Sequence, residues 1–357
     1  MHFDLFAIDP ALQPLVSDRK VPTVEPLPVS PWVAMSAMQK SIRRGDVDLA
    51  LRAAATLLEK DATKLWRRLA GIVFEDIGLA SVKTIKLVMT TTANKVTRQQ
   101  FGGEWAVASL LVQQMAVAPK CRAADDLFIA VSHHHELDEL RTSLAGMDLR
   151  EHLSRISERG ALLGAALAAL HVSGVRWTGQ VSGRAADANS MFAAMRYAGI
   201  DPEIVELAEC GWRRTREPLP MMLPLLIAAL PSGGLSVQDD NIPPVEIGRQ
   251  GIPTYCYDLF SWEGKAALAR FLRRNSKTGH WLRKHVTAER RLPVLAGGLF
   301  RVDGGLVRQQ VMWPCAMTLR WLADSGYHGM KLPDPAAFLN MIRSDLPTID
   351  EERADVR

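Results

Sequence analysis

The sequence predicts a mainly α protein: a helical bundle followed by a mostly helical second domain with a small β-hairpin. Three observations predict it. Alanine, leucine and arginine are used heavily while Phe, Trp and Tyr together make up 6% of the chain, a composition of helix formers rather than strand formers. Apolar residues recur at helical spacing from Trp32 onward. The turns between these runs are short, so consecutive helices must pack antiparallel. At 357 residues the chain exceeds one average core, and two domains are expected.

Residues 1–31 carry Pro10, Pro14, Pro22, Pro26, Pro28 and Pro31, too many for a helix or a central strand, and are read as an extended arm. Met35, Met38 and Ile42 then trace one helical face, and Asp46 caps a second helix through Leu49, Leu57 and Leu58. Asp61 caps a third, carried by Leu65, Leu69 and Ile72. Further helices are expected over about 80–93, 101–117 and 122–132, the fifth stopped by Pro119. The bundle is assigned residues 32–148. The second domain, 149–343, begins with a long amphipathic helix interrupted by Gly160 and Gly164, followed by helices at 184–198 and 202–213. An irregular connection fills 232–254, rich in Gly, Pro, Asp and Asn. Helices follow at 262–275 and 278–289. Leu299–Val302 and Leu306–Gln309 flank Asp303-Gly304-Gly305 as a hairpin, and helices at 314–325 and 334–343 precede an acidic tail, 344–357.

Several classes fall away. The longest apolar run, Leu219 to Leu230, contains Pro220 and Pro224 and is too short for a bilayer, so no membrane is expected. The N-terminus lacks a basic region followed by an apolar stretch, so no export signal and a cytoplasmic location are expected. Cys121, Cys210, Cys256 and Cys315 are isolated and read as reduced, buried thiols. Gly264-Lys265 lacks the leading glycine and the Ser or Thr of a phosphate loop, which excludes a P-loop nucleotidase. No cofactor is expected.

Three blocks of the bundle carry a resemblance. The strings SAMQKSIRRGDVDLAL, RRLAGIVFEDIGLAS and AVAPKCRAADDLFIA stand in order with Gln39, Lys40, Arg43, Arg67, Arg68, Glu75 and Asp76 among them. Together they resemble the C-terminal region of the RarA/MgsA replication-associated recombination family of clamp-loader-like AAA+ ATPases, over residues 32–131. A fainter likeness continues in NIPPVEI and in YCYDLFSWEGKAALARFL, where the order Trp262-Glu263-Gly264-Lys265 departs from the family's pattern. Family members place an ATPase module before this region, and this chain has the Pro-rich arm there. The resemblance implies an oligomerising collar, a tetramer in the family, without the motor; Gln39, Lys40, Arg43, Arg67, Arg68, Glu75 and Asp76 are then structural or subunit-contact residues. The N-terminal His2-Phe3-Asp4-Leu5-Phe6 looks like the short clamp-binding peptide of bacterial replication proteins, usually Gln-Leu-Asp-Leu-Phe. Phe3, Leu5 and Phe6 would dock on a sliding clamp, or pack on the protein's own surface.

Charge is concentrated. Residues 265–291 hold nine Lys or Arg against the single acid Glu289, while the whole chain nets +4. Arg270, Arg273, Arg274, Lys277, Arg283, Lys284, Arg290 and Arg291 would neutralise phosphates while Trp281 stacks on an unpaired base. The competing reading is a solvated face balanced by the acidic tail, with Trp281 in the core. His133-His134-His135-Glu136, with Asp125 and Asp126, is a metal-like cluster, but three adjacent histidines on a helix point about 100° apart and no metal is expected. Ser132, Ser182 and Ser190 lack a nucleophile elbow. Asp258, Glu263 and Lys265, behind the 232–254 loop, are candidates for an acid–base or Schiff-base site; an Asp258 helix cap explains the same residues more simply.

These readings favour a non-catalytic DNA replication or repair accessory protein, an oligomeric scaffold touching DNA through 265–291 and a replication partner through its arm. The alternatives are a nucleic-acid- or nucleotide-acting enzyme with its site in the second half, and a protein that antagonises a host RarA-like ATPase by mimicking its collar.

Overall fold

Residues 19–158, 160–179, 186–326 and 331–356 are described by the structure, a computed structural model. Phe3, Leu5, Phe6 and Ser182 lie outside the described residues. The chain is mainly α, and the described residues include one two-stranded antiparallel sheet.

Ser30 opens α1 (Pro31–Arg44) by accepting from Val33 N, and Gly45 closes it in the left-handed region at φ 72°. Asp46 caps α2 (Val47–Ile72) by accepting from Leu49 N. Asp61 leaves helical geometry (φ −160°, ψ 76°) and accepts from Lys64 N at 2.9 Å, so the two helices expected around it are halves of one kinked element. A π-helical turn, Val73–Ile77, and a 3-10 turn, Gly78–Ser81, lead into α3 (Val82–Thr91). Gly78 sits at φ 47°, where a Cβ would lie 2.8 Å from the Cys121 carbonyl; only glycine permits that approach. α4 (Lys95–Gln100) is a short helix that was not expected, and α5 (Glu104–Val117) is the helix expected over 101–117, its start delayed because Gly102 and Gly103 both take positive φ.

Next come α6 (Ala123–His133), α7 (Asp138–Ala145), α8 (Leu149–Ile156) and α9 (Leu162–Ser173). The long helix expected over 149–172 is therefore two, parted near Gly160 at φ 83°. α10 (Ala188–Tyr197), α11 (Pro202–Thr215) and α12 (Leu219–Ala228) complete the middle of the chain.

Beyond β1 (Ser236–Gln238) lie α13 (Trp262–Phe271), α14 (Lys277–His285) and α15 (Arg291–Leu299). A second π turn, Phe300–Gly304, precedes β2 (Gln310–Met312), α16 (Pro314–Ser325) and α17 (Pro335–Ala354). The hairpin expected across 299–309 is not formed there. Leu299 and Val302 are buried in helical turns, and Gly305 N donates back to Phe300 O. The antiparallel pair instead joins β1 to β2, with Val237 opposite Val311. The acidic tail is no tail: α17 runs through it to Ala354.

Among the described residues the apolar side chains form three cores. The first gathers Leu27, α1, α2 and α5 with Leu207, Leu223 and Tyr257 from far along the chain. The second joins α6, α9, α10 and α12 to Trp313 and Leu319. The third is built by α13, α15 and α17 around Phe271 and Phe338. The described part of the arm is strapped down: Leu27 N donates to Thr56 Oγ1 at 2.7 Å, and Trp105 Nε1 to Pro22 O at 2.8 Å. No helix among the described residues is long and apolar enough to cross a membrane.

Candidate functional site

A chamber of about 510 Å³ opens where the three cores meet. That is within the range of small-molecule sites, roughly 300–1,000 Å³. Its polar end is assembled by the two π turns and by residues of α1, α2 and α6. Single π turns are rare and concentrate at functional sites, because the extra residue per turn redirects side chains that an α-helix would splay apart.

The first π turn presents Glu75 and Asp76 inward. Asp76 is fully buried and accepts from Gln39 Nε2 at 2.8 Å, from Arg43 Nε at 2.7 Å and from Arg122. Glu75 takes Arg43 Nη2 at 2.7 Å and Arg68 Nη2 at 2.9 Å. Arg68 also donates to Gln39 Oε1, and Arg43 Nη1 to the Gly304 carbonyl on the second π turn. The three sequence blocks quoted above thus meet in one buried network. Burial works to raise the Glu75 carboxyl, but Arg68, Arg43 and Arg122 outweigh it and hold it at about 2. Lys120, from the same third block, is buried with its Nζ on the Ala116 carbonyl; burial pushes it down to about 8 against the pull of Asp76.

A second group closes the chamber from the other side. Lys40 Nζ donates to Tyr255 O at 2.5 Å and pairs with Asp258 Oδ2 at 2.8 Å. Ser36 Oγ reaches the same oxygen at 2.7 Å. Burial opposes ionisation of Asp258, but Lys40, Ser36 and the Phe260 backbone N–H together hold its carboxyl below the ordinary range. Asp258 does not cap α13. Ser261 does, accepting from Gly264 N at 2.9 Å, which leaves Asp258 to the chamber. The second π turn contributes Asp303, bonded to Arg44 at 2.7 Å and to Arg353 of α17 at 2.8 Å. Arg301 pairs with Asp126 at 3.0 Å and Asp324 at 3.2 Å.

Asp125 stands apart in this set. One of its oxygens accepts from Arg122, and its side chain keeps 14% exposure on the chamber. Burial, reinforced by Glu75 and Asp126 and opposed by Arg122 and Arg301, pushes it up to about 6. Glu217, also on the chamber, is raised by burial and by Glu75. The walls around these groups are carbon: Phe128, Ile129, Leu219, Phe260, Leu299 and Phe300. A carboxyl held at about 6 beside one held at about 2 is the arrangement that lets one group exchange a proton near neutrality while the other stays charged.

Of the residues singled out from the sequence, Gln39, Lys40, Arg43, Arg68, Glu75 and Asp258 line the chamber, and Asp76 lies directly behind it. Arg67 points outward and is exposed. Lys265 is exposed and Glu263 half-buried, and neither lines the chamber. His133 lines it, while His134 faces Ser325. The sequence offers Asp125 only as a member of the metal-like cluster that was set aside, reads Arg301-Val302-Asp303 as part of a hairpin, and places Arg353 in an acidic tail. The pair Asp125-Asp126 in the first turn of an otherwise apolar helix was the signal for the first; nothing local marks the others.

The basic stretch divides. Arg270 and Arg274 pair with Glu352 at 2.8 and 2.9 Å, and Arg274 also with Glu351, so the acids of α17 consume part of the charge. Trp281 is half-buried against Phe338, ring centroids 4.4 Å apart, rather than presented as a stacking platform. Arg291 donates to the Val286 carbonyl and Arg283 to the Leu272 carbonyl. Arg273, Lys277 and Lys284 remain exposed with no ion pair among the described residues, and Arg283 and Arg290 are exposed beside them. Trp262, just ahead of this strip in the sequence, is exposed, as is Phe260 on the rim of the chamber.

The chain matches no model of a known protein family, no curated protein and no solved structure.

Proposed function

We propose that the protein works through the chamber: it takes up one small organic molecule at the junction of its three cores, and Asp125 exchanges a proton with it. The observation that supports this reading is one cavity, partly open to solvent, lined by two carboxylates, Asp125 and Glu75, whose surroundings drive their ionisation in opposite directions. A merely structural ion-pair network has no need of an adjoining void, and close packing would otherwise fill it. The reading is nearest to the enzyme alternative derived from the sequence, with Asp258 retained as a site residue and Glu263 and Lys265 outside it. Thermal denaturation against a panel of nucleosides, nucleotides, aromatic amines and carboxylic acids tests it. Parent protein should be stabilised by at least one compound, and the chamber-filling Ala296→Phe variant should lose that response. Equal responses in both proteins, or none in the parent, would overturn the reading.

We propose a second role on a different observation: the exposed cations Arg273, Lys277 and Lys284 support nucleic-acid contact along α14 and the turn that precedes it. Kinship with the replication-associated recombination family, tetramer formation and clamp docking through Phe3, Leu5 and Phe6 belong with this role. Fluorescence anisotropy with labelled single- and double-stranded DNA at low salt tests it, and absence of binding to both removes it.

A further inference from the structure

The chamber's polar groups can be sorted by what each still lacks. Its cations are engaged. Lys40 donates to Tyr255 O and Asp258, and Arg43 uses Nε, Nη1 and Nη2 on Asp76, Gly304 O and Glu75. Arg301 is held by Asp126 and Asp324, Arg353 by Asp303 and Asp350. Arg301 Nη2 and Arg353 Nε have no acceptor, yet both atoms are sealed from solvent and cannot meet a ligand in the void. Arg68 leaves only Nη1, on the side of Gly71 where Glu217 Oε2 also lies.

The open valences are acceptors. Asp125 gives Oδ2 to Arg122 and keeps Oδ1. Glu217 also lines the chamber, and among the described residues its carboxylate accepts no hydrogen bond, with Arg68 and Arg67 acting on it only through their charge. Both sit near Glu75, so an incoming anion meets three carboxylates, whereas an incoming N–H donor meets two unfilled acceptors. Beyond them the walls offer Phe128, Phe300 and Leu219 to an apolar body.

Building on the chamber reading above, we infer that its ligand is an organic amine or amidine: a protonated nitrogen received by Asp125 and Glu217 on an aromatic or aliphatic body that fills the carbon-lined side. No residue has to leave its present partner to bind such a molecule. A carboxylate or phosphate ligand would find only Arg68 Nη1 unused, beside the Glu217 carboxylate, and any further cationic contact would have to take Arg43, Lys40 or Arg68 from Glu75 and Asp258, leaving buried carboxylates unpaired.

Titration calorimetry on the full chain with tryptamine, tryptophol and indole-3-acetate separates the alternatives, since the three share a ring and differ in head group. Tryptamine should bind about tenfold tighter than tryptophol, with indole-3-acetate weakest. Its affinity should fall as pH drops below about 6, because Asp125 must lose its proton to receive the ammonium group. The Asp125→Asn/Glu217→Gln pair should weaken tryptamine by about tenfold and leave tryptophol within about twofold; a general structural defect would weaken both. Should that double variant unfold, the more accessible Glu217→Gln change alone carries the same expectation in smaller measure. Tighter binding of tryptophol or indole-3-acetate overturns the amine assignment and leaves the chamber as a binding site. Failure of all three to bind parent protein overturns the amine assignment, and the wider panel with Ala296→Phe then decides the chamber reading separately.

Discussion

Lys40 Nζ lies 2.8 Å from Asp258 Oδ2, a contact between the first helix and a loop 218 positions later in the chain. The lysine also holds the Tyr255 carbonyl, and Ser36 one turn earlier bonds the same carboxylate oxygen. One face of α1 therefore fixes the loop that forms a wall of the chamber.

Replacing Lys40 by Met keeps the length of the side chain and removes the charge. Asp258 is left with Ser36 and the Phe260 backbone N–H, and the Tyr255 carbonyl loses the lysine. Removing one partner of a buried pair costs about 3–5 kcal/mol, and because Asp258 retains 22% side-chain exposure the lower end is expected. Urea denaturation followed by circular dichroism measures it; a loss under about 1 kcal/mol would show that the contact does not hold the loop.

The pH dependence of stability should carry the mark of Asp125. Its carboxyl is raised from 3.8 to about 6 in the folded chain, so between these values the native state holds a proton that the unfolded state has released. Stability contributed by that proton is full below pH 4 and is lost as pH rises to about 6. Glu75 acts oppositely and lower, its contribution disappearing as pH falls from 4.5 towards 2. Asp125→Asn should flatten the decline between pH 4 and 6, without abolishing it, because Glu217, Asp324 and Asp350 are also raised. Denaturant midpoints across that range compare the two proteins, and identical slopes would exclude Asp125 as the group responsible.

Gly264→Ala tests the wall of the chamber directly. A Cβ at this position would stand 2.0 Å from the Asp258 carbonyl oxygen and 2.4 Å from its amide nitrogen, backbone atoms that cannot swing aside. Overpacking of this kind costs about 1–3 kcal/mol. Gly233, with nothing within 4 Å of its added Cβ, supplies the control, and its Ala variant should melt within a degree or two of the parent.

Charge reversal separates the two populations of cations on α13, α14 and the turn between them. Arg273→Glu, Lys277→Glu and Lys284→Glu together should weaken any DNA binding by about tenfold or more and lower its salt dependence by roughly two to three counterions. Arg270→Glu with Arg274→Glu sets like charges against Glu351 and Glu352 and should chiefly lower the melting temperature. Should the second pair lower DNA affinity more than the first triple does, the division between free and paired cations is wrong.

Much of the fold could be read locally. Ser30, Asp46 and Asp201 cap the helices they precede, Gly45 ends α1, and Asp61 breaks α2 where its side chain turns back on Lys64. These signals act within one turn of backbone, so a linear sequence carries them whole. The hairpin reading of Asp303-Gly304-Gly305 failed because two glycines fit a tight helical turn as well as a strand reversal, and burial of Leu299 and Val302 decided between them. The chamber was half legible: Gln39, Lys40, Arg43, Arg68 and Glu75 stood out as one collar-like set and Asp258 as a separate acid–base candidate, with nothing to join the two. Their convergence depends on packing between elements hundreds of residues apart, and on Arg301, Asp303 and Arg353, which have no distinguishing neighbours in sequence.

The ion pairs that tie Arg44 to Asp303 and Asp303 to Arg353 also set a timetable. A ribosome reaches Arg353 only after some three hundred further residues beyond Arg44, about 15–60 s at ordinary elongation speeds. Until Asp258 and Asp303 are made, the nascent α1 carries Lys40 and Arg44 without their carboxylate partners, while α2 and the first π turn can already fold against it through Arg43 and Glu75. Helix formation at the start of the chain thus precedes the chamber in time, and a chain stalled before residue 258 would leave both of those cations without the acids that hold them in the finished fold.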